Sequence, residues 1–163
     1  MANPDSVLTS SVAYQDPMAA IAWLERAFGF EVAMLLTDDS GELAHAEMAF
    51  RGANIGVMRE WSSTALLGPA EIKSPKTLGA TTQFIWLTVE DVRAHCGRAR
   101  AAGAQIVQEP TDQPYGDRTY RALDCDGHVW NFRQRVEQVP DAEFERRTGL
   151  KYRKSIADIP RGK

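Results

Sequence analysis

The chain has 163 residues, 44% of them apolar and 25% charged, with a formal net charge of −3. That length and composition fit one ordinary globular domain, and the acidic balance gives no general attraction for nucleic acid. No apolar run approaches the ~18 residues of a membrane-spanning helix, and MANPDSVLTS lacks the basic and apolar regions of a signal peptide, so a cytoplasmic protein is expected.

The first predicted strand covers 7–14, with Val12 and Tyr14 on one face. Asp16 stands where a helix N-cap belongs, followed by Pro17 in the first turn of PMAAIAWLERAFG. Ile21, Leu24 and Phe28 give that helix its apolar stripe, and Gly29 ends it. Strands at 30–37, 43–50 and 54–60 follow, separated by the turns DDSG and RGAN. The segment 61–83 carries Ser, Thr, Gly and two prolines and reads as an irregular linker. A strand at 84–89, a helix VRAHCGRARAAG and strands at 105–108, 119–124 and 128–135 complete a second set, with turns at TDQPYG and DCDG. His95, on that Ala- and Arg-rich helix, is expected to be exposed, and His128 to serve the turn or strand start. Cys96 and Cys125 form no CxxC pair and are expected as reduced thiols, one packing on a helix and one in a turn.

The two sets are one module written twice. Displacing the sequence by 75 positions puts Asp16 on Asp91, Gly41 on Gly116, Gly52 on Gly127 and Val32 on Val107. Continuous from Thr9 to Met58, this register places Asp124 and Asp126 in a hairpin turn, where Asp and Gly serve the backbone. The segment after Val136 lies outside the repeat, and its last 23 residues hold seven Lys and Arg against four Asp and Glu. A surface helix or frayed end, or a cover for a pocket mouth or partner, are the readings open for it.

DPMAAIAWLERAFGFEV, HAEMAFRGANIGVM and YGDRTYRALDCDGHVWNF, in two tandem βαβββ modules, resemble the vicinal oxygen chelate superfamily. That superfamily holds glyoxalases, extradiol dioxygenases and bleomycin resistance proteins. The third segment is most similar to the PhnB-like and bleomycin-resistance-like branches, with Cys125 where they carry Pro. The resemblance implies an α+β fold in which the modules form a curled mixed sheet around a cleft. Residues 1–136 would be a single glyoxalase-like domain of two repeats, 6–60 and 84–136, with 137–163 a C-terminal extension. A homodimer is implied as well.

The family's metal ligands lie on the first and fourth strands of each module. Transferred here, those positions are Thr9, Gly56, Phe84 and Asn131. A divalent ion needs three or four N, O or S donors around one point, and this set offers two neutral oxygen groups at most. No metal and no other cofactor is expected. Alternation adds Ser11, Met58 and Trp86 to the cleft face. It also places His45 and Glu47 there, with Tyr120 as the repeat mate of His45. Tyr115 and Arg118, in the loop before a cleft strand, are candidates for the rim. An aromatic wall with sparse polar anchors describes a site for a planar or aromatic small molecule.

Three functions are therefore open. The leading one is metal-free binding of such a molecule. A second is a lyase, isomerase or dioxygenase that uses His45 and Glu47, or a metal site elsewhere. A third is an interaction module whose cleft is filled by its own side chains. A histidine held by a neighbouring hydrogen bond competes with the catalytic reading of His45, and loop bracing competes with the ligand reading of Tyr115, Asp117 and Arg118.

Overall fold

The structure, a computed structural model, describes residues 8–160. The first module runs β1 (Ser10–Tyr14), α1 (Pro17–Phe28), β2 (Glu31–Thr37), β3 (Leu43–Phe50) and β4 (Ala53–Arg59). The linker contains β5 (Trp61–Ser62), α2 (Thr64–Leu67), β6 (Glu71–Ile72) and α3 (Pro75–Leu78). The second module runs β7 (Phe84–Thr88), α4 (Val92–Ala101), β8 (Gln105–Asp112), β9 (Asp117–Leu123) and β10 (Val129–Arg135), and α5 (Asp141–Thr148) follows it. The linker is thus more ordered than its composition suggests. Glu60 Oε1 accepts hydrogen bonds from Ser74 N, Ser74 Oγ and Thr77 Oγ1 at 2.9, 2.5 and 2.5 Å, which hold its carboxyl down to about 2.

Each module makes its own four-stranded sheet, in the orders β1-β4-β3-β2 and β7-β10-β9-β8. The first and last strands of each module are parallel neighbours, and the other pairs are antiparallel. Local chemistry explains both long helices. The Asp16 carboxylate accepts from Ala19 N, and the Asp91 carboxylate from Arg93 N and Ala94 N, covering orphan donors at the N-termini. Gly29, at φ +76°, turns α1 off with its N–H bonded to Leu24 O and Glu25 O.

The helix-bearing faces of the two sheets converge on one core. Val12, Tyr14, Ala46, Met48 and Val57 come from the first sheet, and Leu87, Tyr120, Ala122, Trp130 and Phe132 from the second. Phe28, at the end of α1, lies 5.4 Å from the Trp130 ring and 4.8 Å from the Phe132 ring of the other module. Trp23 Nε1 donates to Ala102 O just beyond α4. The helices therefore sit between the sheets, and the opposite face of each sheet is turned outward. Residues expected around one cleft lie on two open faces instead.

The β9–β10 turn locks the modules together. The Asp124 carboxylate accepts from Tyr14 OH at 2.6 Å and Trp130 Nε1 at 2.9 Å, and from the backbone N–H groups of Asp126 and His128. Asp126 accepts from Gln15 N, and His128 Nε2 donates to Ala13 O. Burial first, and then the Asp124 carboxylate, push the Tyr14 hydroxyl well above its ordinary range.

This turn also corrects the assumed repeat register. Ala49 pairs with Asn54 in the first module, whereas Leu123 pairs with Val129 in the second. The second hairpin is one residue longer, so the offset between β3 and β9 is 74 rather than 75. A one-residue slip reverses every side chain of a strand. Tyr120 and Ala122 therefore face the helices, and Thr119 and Arg121 take the open face.

Candidate functional site

On the first sheet the open face carries Ser11 and Ala13 from β1, Gly56 and Met58 from β4, His45 and Glu47 from β3, and Met34 and Leu36 from β2. The cross-strand register sets this grouping, since directly paired residues share a face. Met34 and Leu36 are 39% and 51% exposed, high for large apolar side chains. His45 Nε2 lies 3.5 Å from Glu47 Oε1, a long contact between two solvent-accessible groups. Thr9 is exposed just ahead of β1.

On the second sheet the open face carries Phe84, Trp86 and Thr88 from β7, Val129, Asn131 and Arg133 from β10, and Thr119 and Arg121 from β9. Phe84 and Trp86 are 42% and 44% exposed and stand edge to face, with ring centroids 5.5 Å apart. Asn131 lies on the central strand, opposite Trp86 on one side and Arg121 on the other. It is 1% exposed, yet neither Oδ1 nor Nδ2 has a hydrogen-bond partner among the described residues. A buried amide left unpaired costs about 1–3 kcal/mol, so this position is not explained by stability. The guanidinium of Arg121 lies 4.9 Å from the Phe84 ring centroid, and its buried Nε has no partner either.

The YGDR loop borders this face and is heavily braced. Asp117 is buried and meets Arg135 Nε at 2.8 Å and Arg133 Nη1 at 4.0 Å. Arg118 forms a bidentate pair with Asp112, at 2.5 and 2.9 Å, the loop bracing that competes with a ligand role for it. The Gly116 carbonyl accepts from Val136 N and Glu137 N. Tyr115 is half-buried. Burial and then Asp117 raise its hydroxyl above the ordinary range, while Arg121 and Arg133 act in the opposite sense from nearby.

Two expectations are overturned by packing. Tyr120, expected to touch a ligand, is fully buried in the core, where its hydroxyl meets His95 Nδ1 at 2.6 Å. His95, expected in solvent, is 8% exposed, and its Nε2 donates to Phe28 O at 3.0 Å. Its face of α4 is shared with Val92, Cys96 and Ala99, a spacing of three, four and seven residues. Sequence reasoning missed Arg121 because the assumed register put its neighbour on the open face. The signal that identifies it is the extra residue in the hairpin.

At one end of the second sheet's open face, Val129, Leu123 and Gln105 border an open pocket of about 570 Å³ whose other wall is the linker around Pro75 and Thr81. A cavity of about 280 Å³ lies elsewhere, between Ser11 and Ala13 of β1, His128 and linker residues including Lys73 and Leu78.

The transferred metal positions fall two to each sheet, Thr9 just ahead of β1 and Gly56 on β4 in the first, Phe84 on β7 and Asn131 on β10 in the second. Ser11 Oγ sits in the space that a Cβ at position 56 would take, so a longer ligating side chain has no room there without a shift. Phe84 offers no donor. Among the described residues, no cluster of three or more His, Cys, Asp or Glu could hold a metal ion. The donor set does not fit a divalent ion.

Paired βαβββ modules with parallel outer strands, open faces and aromatic side chains on one of them define a glyoxalase-fold protein. The chain belongs to the Glyoxalase/Bleomycin resistance protein/Dioxygenase superfamily, whose family model matches residues 6–132. Protein Rv0887c of Mycobacterium tuberculosis (strain ATCC 25618 / H37Rv) is 32% identical over 143 residues, covering 88% of this chain and 82% of that protein. TioX from Micromonospora sp. ML1 is 32% identical, with a TM-score of 0.66 over 80% of this chain and 99% of its own. TnmS3, an antibiotic binding protein from Streptomyces sp. CB03234, shares the fold at 22% identity, with a TM-score of 0.60 over 81% of this chain and 97% of its own. No described helix is long and apolar enough to cross a membrane.

Proposed function

We propose that this protein binds a planar aromatic small molecule, without a metal, on the open face of the second sheet. The observation that carries this reading is the exposed Phe84–Trp86 pair beside a buried Asn131 amide that has no partner. Two aromatic faces supply stacking area, and an orphan amide supplies a polar anchor, the usual division of labour in small-molecule sites. TnmS3 is an antibiotic binding protein, and small-molecule binding on the same fold is consistent with this reading. The His45–Glu47 pair is long and exposed, which gives less support to catalysis.

One chain supplies only half of an enclosed site. We propose a homodimer in which the first sheet of one copy closes over the second sheet of the other. Both faces carry exposed apolar side chains, Met34 and Leu36 on one and Phe84 and Trp86 on the other. Ser11, His45, Gly56 and Met58 of the partner would then form the second wall.

The test is calorimetric titration with 9-aminoacridine, 1-naphthol and 1-hydroxy-2-naphthoate, a cation, a neutral ring and an anion. At least one is expected to bind, and Trp86→Ala is expected to weaken it roughly tenfold, the worth of one aromatic contact. A folded Trp86→Ala protein with unchanged affinity removes the proposed site.

A further inference from the structure

The Arg121 side chain crosses its own sheet. Arg121 pairs with Asn131 on β10, and Asn131 pairs with Trp86 on β7, yet the guanidinium reaches the ring of Phe84, two strands away and one pair along. It therefore passes over β10 beside Asn131, which helps explain why that amide is covered while unpaired. Arg133 and Arg135 both face Asp117, and Arg118 is held by Asp112, but among the described residues Arg121 has no carboxylate partner. A half-buried guanidinium without a counter-ion, resting on an aromatic face, occupies the place a ligand ring would take.

We infer that Arg121 is a placeholder that selects planar aromatic acids, in particular those with an O–H or N–H donor beside the carboxylate. This deepens the binding reading given above and rests on it. The ligand ring displaces the guanidinium from Phe84, and Arg121 turns to pair with the carboxylate. Asn131, uncovered by that movement, donates from Nδ2 to the same carboxylate and accepts at Oδ1 from the adjacent donor. Directly opposed side chains on neighbouring strands stand about 5 Å apart at Cβ, so one small acidic group can reach both. Arg121 and Asn131 thereby gain the partners they lack, and no other cation is needed. The movement is a change of rotamer in the Arg121 side chain and needs no change of fold.

The experiment compares 1-hydroxy-2-naphthoate with its carboxamide by calorimetry, on the full chain and on Arg121→Ala, Arg121→Lys and Asn131→Leu proteins. The wild-type protein is expected to prefer the acid by roughly tenfold or more, as a charged hydrogen-bonded contact would give, and to lose part of that preference in high salt. Arg121→Ala is expected to bring the ratio close to one while the carboxamide binds at least as well, because the Phe84 ring is freed. Arg121→Lys should keep a preference for the acid, though a smaller one. Asn131→Leu should weaken both compounds if folded, which a thermal melt establishes independently. Equal binding of acid and carboxamide by the wild-type protein, with Trp86→Ala weakening both, overturns the selectivity and leaves the site intact. An acid preference that survives Arg121→Ala also overturns it. Binding of neither compound overturns this inference, and failure of all three probes named earlier overturns the site as well.

Discussion

Two residues show how the same chemistry serves different ends according to what lies beside it. His95 and Asn131 are both buried polar side chains near aromatic rings. His95 is fully satisfied, between Tyr120 OH and Phe28 O, whereas Asn131 has no partner. The first is structural, and the second is the polar anchor of the proposed site. Burial holds the His95 imidazole down to about 4, from an ordinary value of 6.5, because the charged form would be desolvated. A group whose folded value is depressed gives stability that is complete above 6.5 and is lost as pH falls toward 4, by roughly 3 kcal/mol at most. Glu60 and Glu143, held down to about 2, lose their contributions only below their ordinary 4.5, so the window between is governed by His95. Urea titrations at pH 7 and 4.5 should show this loss, and a His95→Gln protein, though less stable at pH 7, should show a much smaller one. Equal losses in both proteins would remove His95 as the cause.

Among the elements, the β9–β10 hairpin has the most consequences. Its turn was legible in the sequence as an Asp and Gly turn, and the structure confirms the bend, with Gly127 at φ +88°. What was not legible was its tertiary role. Asp124 gathers four donors, two of them from Tyr14 and Trp130, and no local pattern announces a contact 110 residues away. Asp124→Ala is expected to cost about 2–4 kcal/mol, because it strands several buried donors at once, while Asp124→Asn should cost less. Denaturant midpoints measure both, and a loss under about 1 kcal/mol for alanine would contradict the locking role. The extra residue of this turn also reversed the faces of β9. Strand existence, helix caps and the repeat were readable, because capping and alternation are local. Register across a hairpin was not, because it depends on loop length, and the error fell on Tyr120 and Arg121.

At the level of the whole molecule, two modules share one helical layer and expose two sheet faces. Apolar residues such as Met34, Leu36, Phe84 and Trp86 on those faces are more exposed than a monomer's stability favours. Sedimentation equilibrium at micromolar concentration should therefore give twice the chain mass of 18.1 kDa. High salt should leave the association intact or tighten it, since apolar faces are proposed to meet. A monomer at every concentration would remove the dimer. The sequence made the two-module plan legible, including the residues near Phe84 and Asn131. It could not tell which way each module turns its open face, because that depends on how Phe28 of α1 and His95 of α4 pack together on Phe132 of β10.

The most direct measurement is an amide and indole NMR map during titration with 1-hydroxy-2-naphthoate. The four tryptophans report from different places: Trp23 and Trp130 are hydrogen-bonded in the core, Trp61 lies in the linker, and Trp86 stands on the open face. Large shifts of the Trp86 indole and the Asn131 side-chain amide, with the Trp23 and Trp130 indoles nearly still, are the predicted result. Shifts centred on the cavity beside Ser11 and His128, with Trp86 and Asn131 unmoved, would contradict the account.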